Sequence, residues 1–233
     1  MSPVTTTTRL TGGTALLMTP MTVTEPEVAM PPEMLNSFLE GSGLNGPFIA
    51  DLLSSFLVHE QCGFHLYRTV SGLTKNPMLS TKYQEFGAQT EEHIGILEQL
   101  ITDLGGKPGY VSPAARMTEA MNAKMMEAIT LLSGSADENT VEQVMLEAVV
   151  LAETKDHANW KLLGQLAEKM PDGEAKNAFL AAVGQVEDQE DEHLEWASST
   201  WEKLTMTQAR SGLAQKGMEM AEKAVGMVKD ALS

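Results

Sequence analysis

Apolar residues recur at steps of three and four along five stretches of this 233-residue chain, a spacing typical of one face of an α-helix. The pattern predicts helices over residues 47–72, 78–104, 113–132, 139–169 and 174–204. A sixth stretch, residues 207–232, sets apolar residues against scattered lysines and predicts an amphipathic C-terminal helix. Glycine and proline stand in several of the intervals, where they end helices. No comparable pattern predicts a sheet.

The lengths of the connections predict how these helices are arranged. The links after the first and the fourth helix are short, so each joins an antiparallel pair. A long crossover, residues 105–139, joins the two pairs and contains the third helix. The predicted fold class is therefore all-α, a four-helix bundle with a long crossover that contains an extra helix, plus a C-terminal helix.

Three parts follow from the same pattern. Residues 1–45 begin with a stretch rich in Thr, Pro, Met and Gly without periodicity, and we expect an N-terminal arm that is disordered or loosely docked. Residues 46–206 form the predicted bundle. Residues 207–233 form the predicted C-terminal amphipathic helix.

Composition narrows the classes of function. Sixteen basic and 32 acidic residues leave a net charge of −16, which repels nucleic acid and is compatible with attracting cations. One cysteine, Cys62, excludes an intramolecular disulfide framework and a cysteine-based metal site. No apolar run approaches the ~20 residues of a membrane span, and the N-terminus is a poor signal peptide. A cytoplasmic location is the default expectation.

Polar residues interrupt the apolar face of each of the four long predicted bundle helices near its middle. A buried carboxylate without a partner costs several kcal/mol, so an interruption on all four helices calls for a joint explanation. The interrupting residues are Glu60 on the first helix, Thr90 and His93 on the second, Glu153 and Asp156 on the next, and Glu190 and His193 on the last.

Helix geometry directs these side chains to one place. Residues three apart lie ~60° apart around a helix, so Glu190 and His193 share a face. A pair of divalent cations would neutralise carboxylates that converge from four helices, and oxygen donors with imidazole suit iron or manganese. Di-iron proteins built on four-helix bundles use one Glu from each of two helices and Glu-x-x-His from each of the other two.

Four segments carry a resemblance to the bacterial ferritin-like superfamily. It extends over about residues 48–205, and the helix inside the crossover is similar to the stress-associated YciE/YciF-like branch of that superfamily. The segments are LVHEQCGFHLY (57–67), EEHIGILEQLITDLGGKP (91–108), AETKDHANWKLLGQLAE (152–168) and EDQEDEHLEWA (187–197).

The resemblance implies a set of metal ligands. Glu60 and Glu153 correspond to terminal ligands, Glu190 to a bridging ligand, and His93 and His193 to the two imidazole ligands. It implies two divalent metal ions, iron in preference to manganese, with O2 or peroxide as the reaction partner.

The chain departs from the family pattern at Thr90, where a second Glu-x-x-His would place a carboxylate. Three explanations stay open. Glu92 or Glu91 reaches inward through a local distortion, Asp156 supplies the missing oxygens, or the site holds one metal ion or none. Asp156 and His157 cannot both point fully inward, and both remain secondary candidates for metal ligands.

Three functions are compatible with these residues. The first is a di-iron or di-manganese protein with ferroxidase-like or catalase-like oxidoreductase activity, which we expect to form a homodimer or a higher homo-oligomer. The second is a subunit of an iron-storage cage. The third is a helical module without metal that serves a structural role or binds partners, for which Thr90 is the main support.

Overall fold

A computed structural model describes residue 34 and residues 38–231, with side chains up to residue 210. This part of the chain is helical and contains no strand. Its helices are α1 (Gly46–Leu73), α2 (Pro77–Asp103), α3 (Pro113–Ser133), α4 (Glu138–Lys169) and α5 (Glu174–Ala231). The all-α prediction is confirmed, and both ends of α1 to α4 fall within one residue of the predicted bounds.

The helices begin where a side chain can accept a hydrogen bond from the first free amide groups. Asn45 caps α1, and Asn76 caps α2 by accepting from the amides of Met78 and Leu79. Ser112 caps α3 and Asp137 caps α4 in the same way. A proline in the first turn of α1, α2 and α3 further favours these starts, because its fixed φ suits a helix and its missing N–H is not needed there.

The chain after residue 206 differs from the prediction. The expected separate helix over 207–233 is instead a continuation of α5, which runs from Glu174 to Ala231. No glycine or proline lies between Trp201 and Arg210, so nothing in the sequence stops the helix there. Residues 232 and 233 lie outside the described part.

Most of the predicted N-terminal arm, residues 1–33 and 35–37, also lies outside the described residues. Its last segment, residues 38–45, leads into α1. Phe38 and Leu39 are buried there against apolar side chains of the helices. These two residues of the predicted arm are therefore part of the core.

Four helices contact one another in a closed ring. Helix α1 packs against α2 and α4, and α5 packs against the same two helices from the other side. Helix α3 lies outside this ring, against α1 and α4. None of the described helices is long and apolar enough to span a membrane.

The interior of the ring contains two apolar clusters at different heights. Helix α1 contributes to the first cluster up to Leu57 and to the second from Leu66 onward. The other three helices of the ring change cluster in the same way. Polar residues fill the gap on every helix, and we call them the polar layer: Glu60, Thr90, His93, Glu153, Asp156, Glu190 and His193.

Candidate metal centre

The polar layer is almost completely shielded from solvent. Glu60 and His93 are 0% exposed, Glu190 and His193 are 1% exposed, and Glu153 is 3% exposed. Charged side chains are rarely buried to this degree without an oppositely charged partner. Neither a lysine nor an arginine is among the buried residues of the described part of the chain.

The acidic and histidine side chains form two groups that share one residue. Glu60, His93 and Glu190 form the first group, and Glu153, Glu190 and His193 form the second. Within each group the ligand-type atoms lie within 4.8 Å of one another. The structure thus brings all five primary candidates from the sequence together around Glu190.

Glu190 lies between the two imidazoles. Its Oε1 atom is 3.0 Å from His93 Nδ1 and 3.8 Å from His193 Nδ1. In addition, Glu153 Oε2 lies 3.4 Å from His193 Nδ1. Ligand bonds of about 2 Å at one metal ion put neighbouring ligand atoms about 3 to 3.5 Å apart, so the pairs at 3.0 Å and 3.4 Å each have the spacing of two ligands of one cation.

Two glutamines orient the histidines. Gln189 Oε1 lies 2.7 Å from His93 Nε2, and Gln89 Oε1 lies 2.7 Å from His193 Nε2. An amide oxygen only accepts hydrogen bonds, so each Nε2 donates its proton. In the neutral imidazole the Nδ1 lone pair is then free, and it faces the carboxylates of the polar layer. Partners of this kind fix histidine ligands in metal sites.

Two aromatic donors orient the terminal carboxylates in the same way. The Tyr67 hydroxyl donates to Glu153 Oε1 over 2.7 Å, and the Trp160 indole N–H donates to Glu60 Oε1 over 2.7 Å. Each bond joins one helical pair to the other, because Tyr67 is on α1 and Trp160 is on α4. The second oxygen of each carboxylate remains available.

Several buried atoms of the polar layer accept or donate no hydrogen bond. A buried polar atom in this state costs free energy, and such atoms in native proteins call for a specific explanation. Six of these atoms belong to the five primary candidates, and one belongs to Asp156. They are Glu60 Oε2, His93 Nδ1, Glu153 Oε2, Glu190 Oε1, Glu190 Oε2, His193 Nδ1 and Asp156 Oδ1.

Burial shifts the protonation of these groups toward the neutral forms. It raises the pKa of Glu60 and of Glu190 well above the usual range, and the charge of Asp156 raises both further. Burial lowers the pKa of His93 to about 4. Without a cation, burial thus favours the neutral forms of Glu60, Glu190 and His93.

Thr90 turns away from a ligand role. Its hydroxyl donates to the backbone carbonyl of Phe86 over 2.9 Å, within its own helix. The neighbouring Glu91 and Glu92 are exposed, so the structure does not bring either of them into the polar layer. The first of the three explanations for the missing carboxylate is therefore at odds with the structure.

The side chains of Asp156 and His157 point in different directions, as helix geometry requires of adjacent residues. Asp156 is 5% exposed, and its carboxyl group lies beside that of Glu60. Burial raises the pKa of Asp156 to about 8, and the charge of Glu153 acts in the same direction. His157 is half-buried and lies with its Nδ1 atom 3.1 Å from an oxygen of the exposed Asp191, outside the layer.

Four residues that contact the candidate ligands were not predicted from the sequence as partners of the site. Gln89 and Gln189 each precede a layer histidine by four residues, and Tyr67 and Trp160 each follow a layer glutamate by seven. Both spacings place the residues on one helix face, and both occur once in each half of the chain. This repetition is a signal that could have identified them.

The repeated spacings make the site nearly two-fold symmetric. The hydrogen bonds that orient the terminal glutamates and the histidines correspond between one pair, α1 with α2, and the other pair, α4 with α5. The corresponding residues are Glu60 and Glu153, Tyr67 and Trp160, Gln89 and Gln189, and His93 and His193.

No protein-family model matches the sequence of this chain, and no curated protein matches it. The chemistry of the polar layer is therefore the main guide to function.

Proposed function

We propose that this chain is a ferritin-like four-helix bundle, with α3 in its crossover, that binds two divalent metal ions in the polar layer. Iron is the preferred metal and manganese the alternative. The proposed activity is oxidation of Fe(II) by O2 or removal of peroxide.

The observation that carries the proposal is the set of seven buried polar-layer atoms without a hydrogen-bond partner. They belong to side chains from α1, α2, α4 and α5, and all of them are oxygen or imidazole nitrogen atoms. These donors suit iron and manganese. A bundle with a purely structural role would gain stability from apolar residues at the same positions.

The residues around the layer hold the proposed ligands in position in the absence of a cation. Gln89 and Gln189 hold the Nδ1 lone pairs inward, and Tyr67 and Trp160 leave one oxygen free on each terminal glutamate. Such preorganisation avoids the cost of ordering ligands during binding. Apolar clusters above and below exclude water, which strengthens the electrostatic attraction of a cation.

Bound iron or manganese would supply the redox chemistry by changing oxidation state as electrons pass to O2 or peroxide. The protein handles the protons. Burial raises the pKa of both Glu60 and Asp156, so these neighbouring carboxyl groups favour protonated forms whose protons a bound cation would displace.

A cleft of about 300 Å³ between α1 and α2 is a route for a small oxidant. Tyr67 and Gly87 both line it. A Cβ atom at Gly87 would lie 3.2 Å from Tyr67 Cβ, so glycine lets α2 approach this side chain closely. The hydroxyl of Tyr67 reaches Glu153 in the layer, so a single side chain connects the cleft to a proposed ligand.

The test is metal binding to the full chain after chelation. Calorimetric titration with Fe(II) under anaerobic conditions, and with Mn²⁺, should give two ions per chain. Elemental analysis should give the same number, and anomalous scattering should place both ions at Glu190. Oxygen uptake with Fe(II) and decay of added peroxide then distinguish the two activities.

Glu190→Gln and Glu92→Gln form a matched pair of variants. Both exchange one carboxylate for an amide on a helix of the ring, but only Glu190 is buried in the polar layer. We expect Glu190→Gln to lose at least one ion and Glu92→Gln to bind like the wild type. A wild-type chain that binds no stoichiometric metal would contradict the proposal and favour a helical module without metal.

A further inference from the structure

We propose that Asp156 replaces the carboxylate that α2 lacks, and that it completes the metal position built on Glu60 and His93. This inference rests on the proposed function and adds to it, because it states which helices supply the ligands. Helix α4 would contribute two carboxylates and α2 only an imidazole.

The first support is the inventory of the polar layer. Two helices with one Glu each and two with Glu-x-x-His give four carboxylates and two imidazoles. The layer of this chain contains the same totals once Asp156 is counted with the three glutamates. Four carboxylates carry the charge that two divalent cations neutralise, whereas three would leave a net positive charge buried.

The second support is where the two-fold symmetry fails. The described polar contacts of the two halves correspond pair by pair, yet Thr90 corresponds to Glu190 and Gly63 corresponds to Asp156. Gly63 and Asp156 each follow a terminal glutamate by three residues, so they share its helix face. The half of the chain that lacks a carboxylate on α2 is thus matched by a half that has an additional one on α4.

The third support is the position of the Asp156 side chain. It is buried on α4, and its carboxyl group lies beside that of Glu60 on α1. Its Oδ1 atom is buried and has no hydrogen-bond partner. A structural aspartate would gain more from a backbone amide or a hydroxyl donor than from another acid. A carboxyl pair shared between two helices is instead the arrangement that a cation would hold together.

The space beside Thr90 permits a reverse substitution. A Cβ atom at Gly63 would lie 3.7 Å from Thr90 Cγ2, so the missing side chain of Gly63 leaves room next to residue 90. Glutamate at residue 90 would share the inward helix face of His93, three residues later. Thr90→Glu combined with Asp156→Gly would therefore exchange the present ligand set for a symmetric one.

The experiment compares four chains by calorimetric Mn²⁺ titration after chelation, with free Mn²⁺ followed by electron paramagnetic resonance. We expect two ions for the wild type and one for Asp156→Gly. Asp156→Asn, which preserves the volume of the side chain, should lose the same ion or bind it at least tenfold more weakly. The Thr90→Glu/Asp156→Gly double variant should again bind two ions.

Anomalous scattering at the manganese edge identifies the ion that each variant retains. In the Asp156 variants it should remain beside Glu153, Glu190 and His193, with the position at Glu60 and His93 empty. Two ions bound by both single variants with wild-type affinity would refute the role of Asp156 and leave the proposed function intact. Loss of both ions would equally refute the assignment to one position. A wild type without metal would refute both proposals.

Discussion

The side chains behind the candidate ligands determine which atoms face the proposed cations. A histidine can present either ring nitrogen, and the partner of the other nitrogen decides between them. Gln189 does this for His93 and Gln89 does it for His193, each across the interface between α2 and α5. Which ring nitrogen of each histidine faces the layer thus depends on a glutamine of the opposite helix. These glutamines do not belong to the group of acidic and histidine residues.

Gln189→Leu tests this dependence. The substitution removes the acceptor for His93 Nε2 and leaves that nitrogen free to compete for the proton of the ring. We expect Mn²⁺ affinity at the His93 position to fall about 10–100-fold, the usual effect of losing such a partner. Titration calorimetry measures it.

Gln185→Leu is the matched control for this prediction. It makes the same exchange one turn earlier on α5, at an exposed residue whose amide nitrogen donates to the Ala181 carbonyl. We expect wild-type affinity for it. Equal affinities for the two variants would show that Gln189 does not orient His93.

The sequence predicted that the five primary residues face inward, but it left open whether Asp156 does. The primary residues interrupt apolar stripes, and a stripe is visible in one dimension. The direction in which the Asp156 side chain points is not visible in the sequence, because Asp156 and His157 are adjacent on the same helix and both border the stripe. Only the packing of α4 against α1 brings Asp156 to Glu60 and leaves His157 beside Asp191. The glutamines were missed because a half-buried amide does not interrupt a stripe.

At the scale of the element, the end of α2 is defined by local chemistry. Gly105 has a φ of 82°, a conformation in which a side chain is strained. The amide of the next residue, Gly106, bonds to the Ile101 carbonyl over 2.8 Å, which closes the last turn. Breakers of this kind are readable in the sequence, so the bounds of α1 to α4 were predictable. The sequence equally shows that no helix breaker follows directly after Trp201. The prediction that the last bundle helix ends at residue 204 did not take this into account.

Gly105→Ala should destabilise the metal-free chain by about 1–2 kcal/mol, because alanine is unfavourable at a left-handed φ. Gly95→Ala, within α2, is the control. Gly95 is exposed, and a Cβ atom there would contact nothing within 4 Å, so we expect about 0.5–1 kcal/mol of stabilisation. Urea denaturation of both variants and the wild type gives the two differences. The two changes in the free energy of unfolding should have opposite signs. A Gly105→Ala variant as stable as the wild type would contradict the assigned role of this glycine.

For the whole molecule, the polar layer costs stability whenever it lacks a cation. It separates the two apolar clusters and fills the gap with groups that would each be better solvated in the unfolded chain. The net stability of the chain should therefore depend on what neutralises the layer, either protons or metal ions.

This dependence predicts how stability changes with pH. The pKa of Asp156 is about 8 in the folded chain and 3.8 as its ordinary value, so between these limits the folded state holds a proton that the unfolded state has released. Stability contributed by this proton is complete below pH 3.8 and is lost as the pH rises through 8. The raised pKa values of Glu60 and Glu190 act in the same direction.

His93 opposes this trend only at lower pH. Its pKa falls from 6.5 to about 4 on folding, so its contribution is lost as the pH falls from 6.5 towards 4 and is constant above that interval. Between pH 6.5 and 8 the buried carboxyl groups therefore determine how the layer affects stability. We expect the free energy of unfolding of the metal-free chain to fall there by about 2 kcal/mol from Asp156 alone.

Urea denaturation at pH 6.5 and pH 8, with a chelator and with saturating Mn²⁺, measures the effect. The metal-bound chain should not lose stability with rising pH, because the cations take the place of the protons. Asp156→Asn should reduce the loss in the metal-free chain. A metal-free chain that becomes more stable between these pH values would contradict the prediction.

The near-symmetry of the polar layer has a consequence for how such a site can change during evolution. In a dimer of two identical helical pairs, every substitution appears twice, so loss of one bridging glutamate would remove both. When both pairs are encoded in one gene, one copy can lose its glutamate while the other gains an aspartate. The combination of Thr90 with Glu190, and of Gly63 with Asp156, is open only to such a chain. A single chain that contains both helical pairs can thus give each proposed metal position its own heritable ligand set, on which selection can act separately.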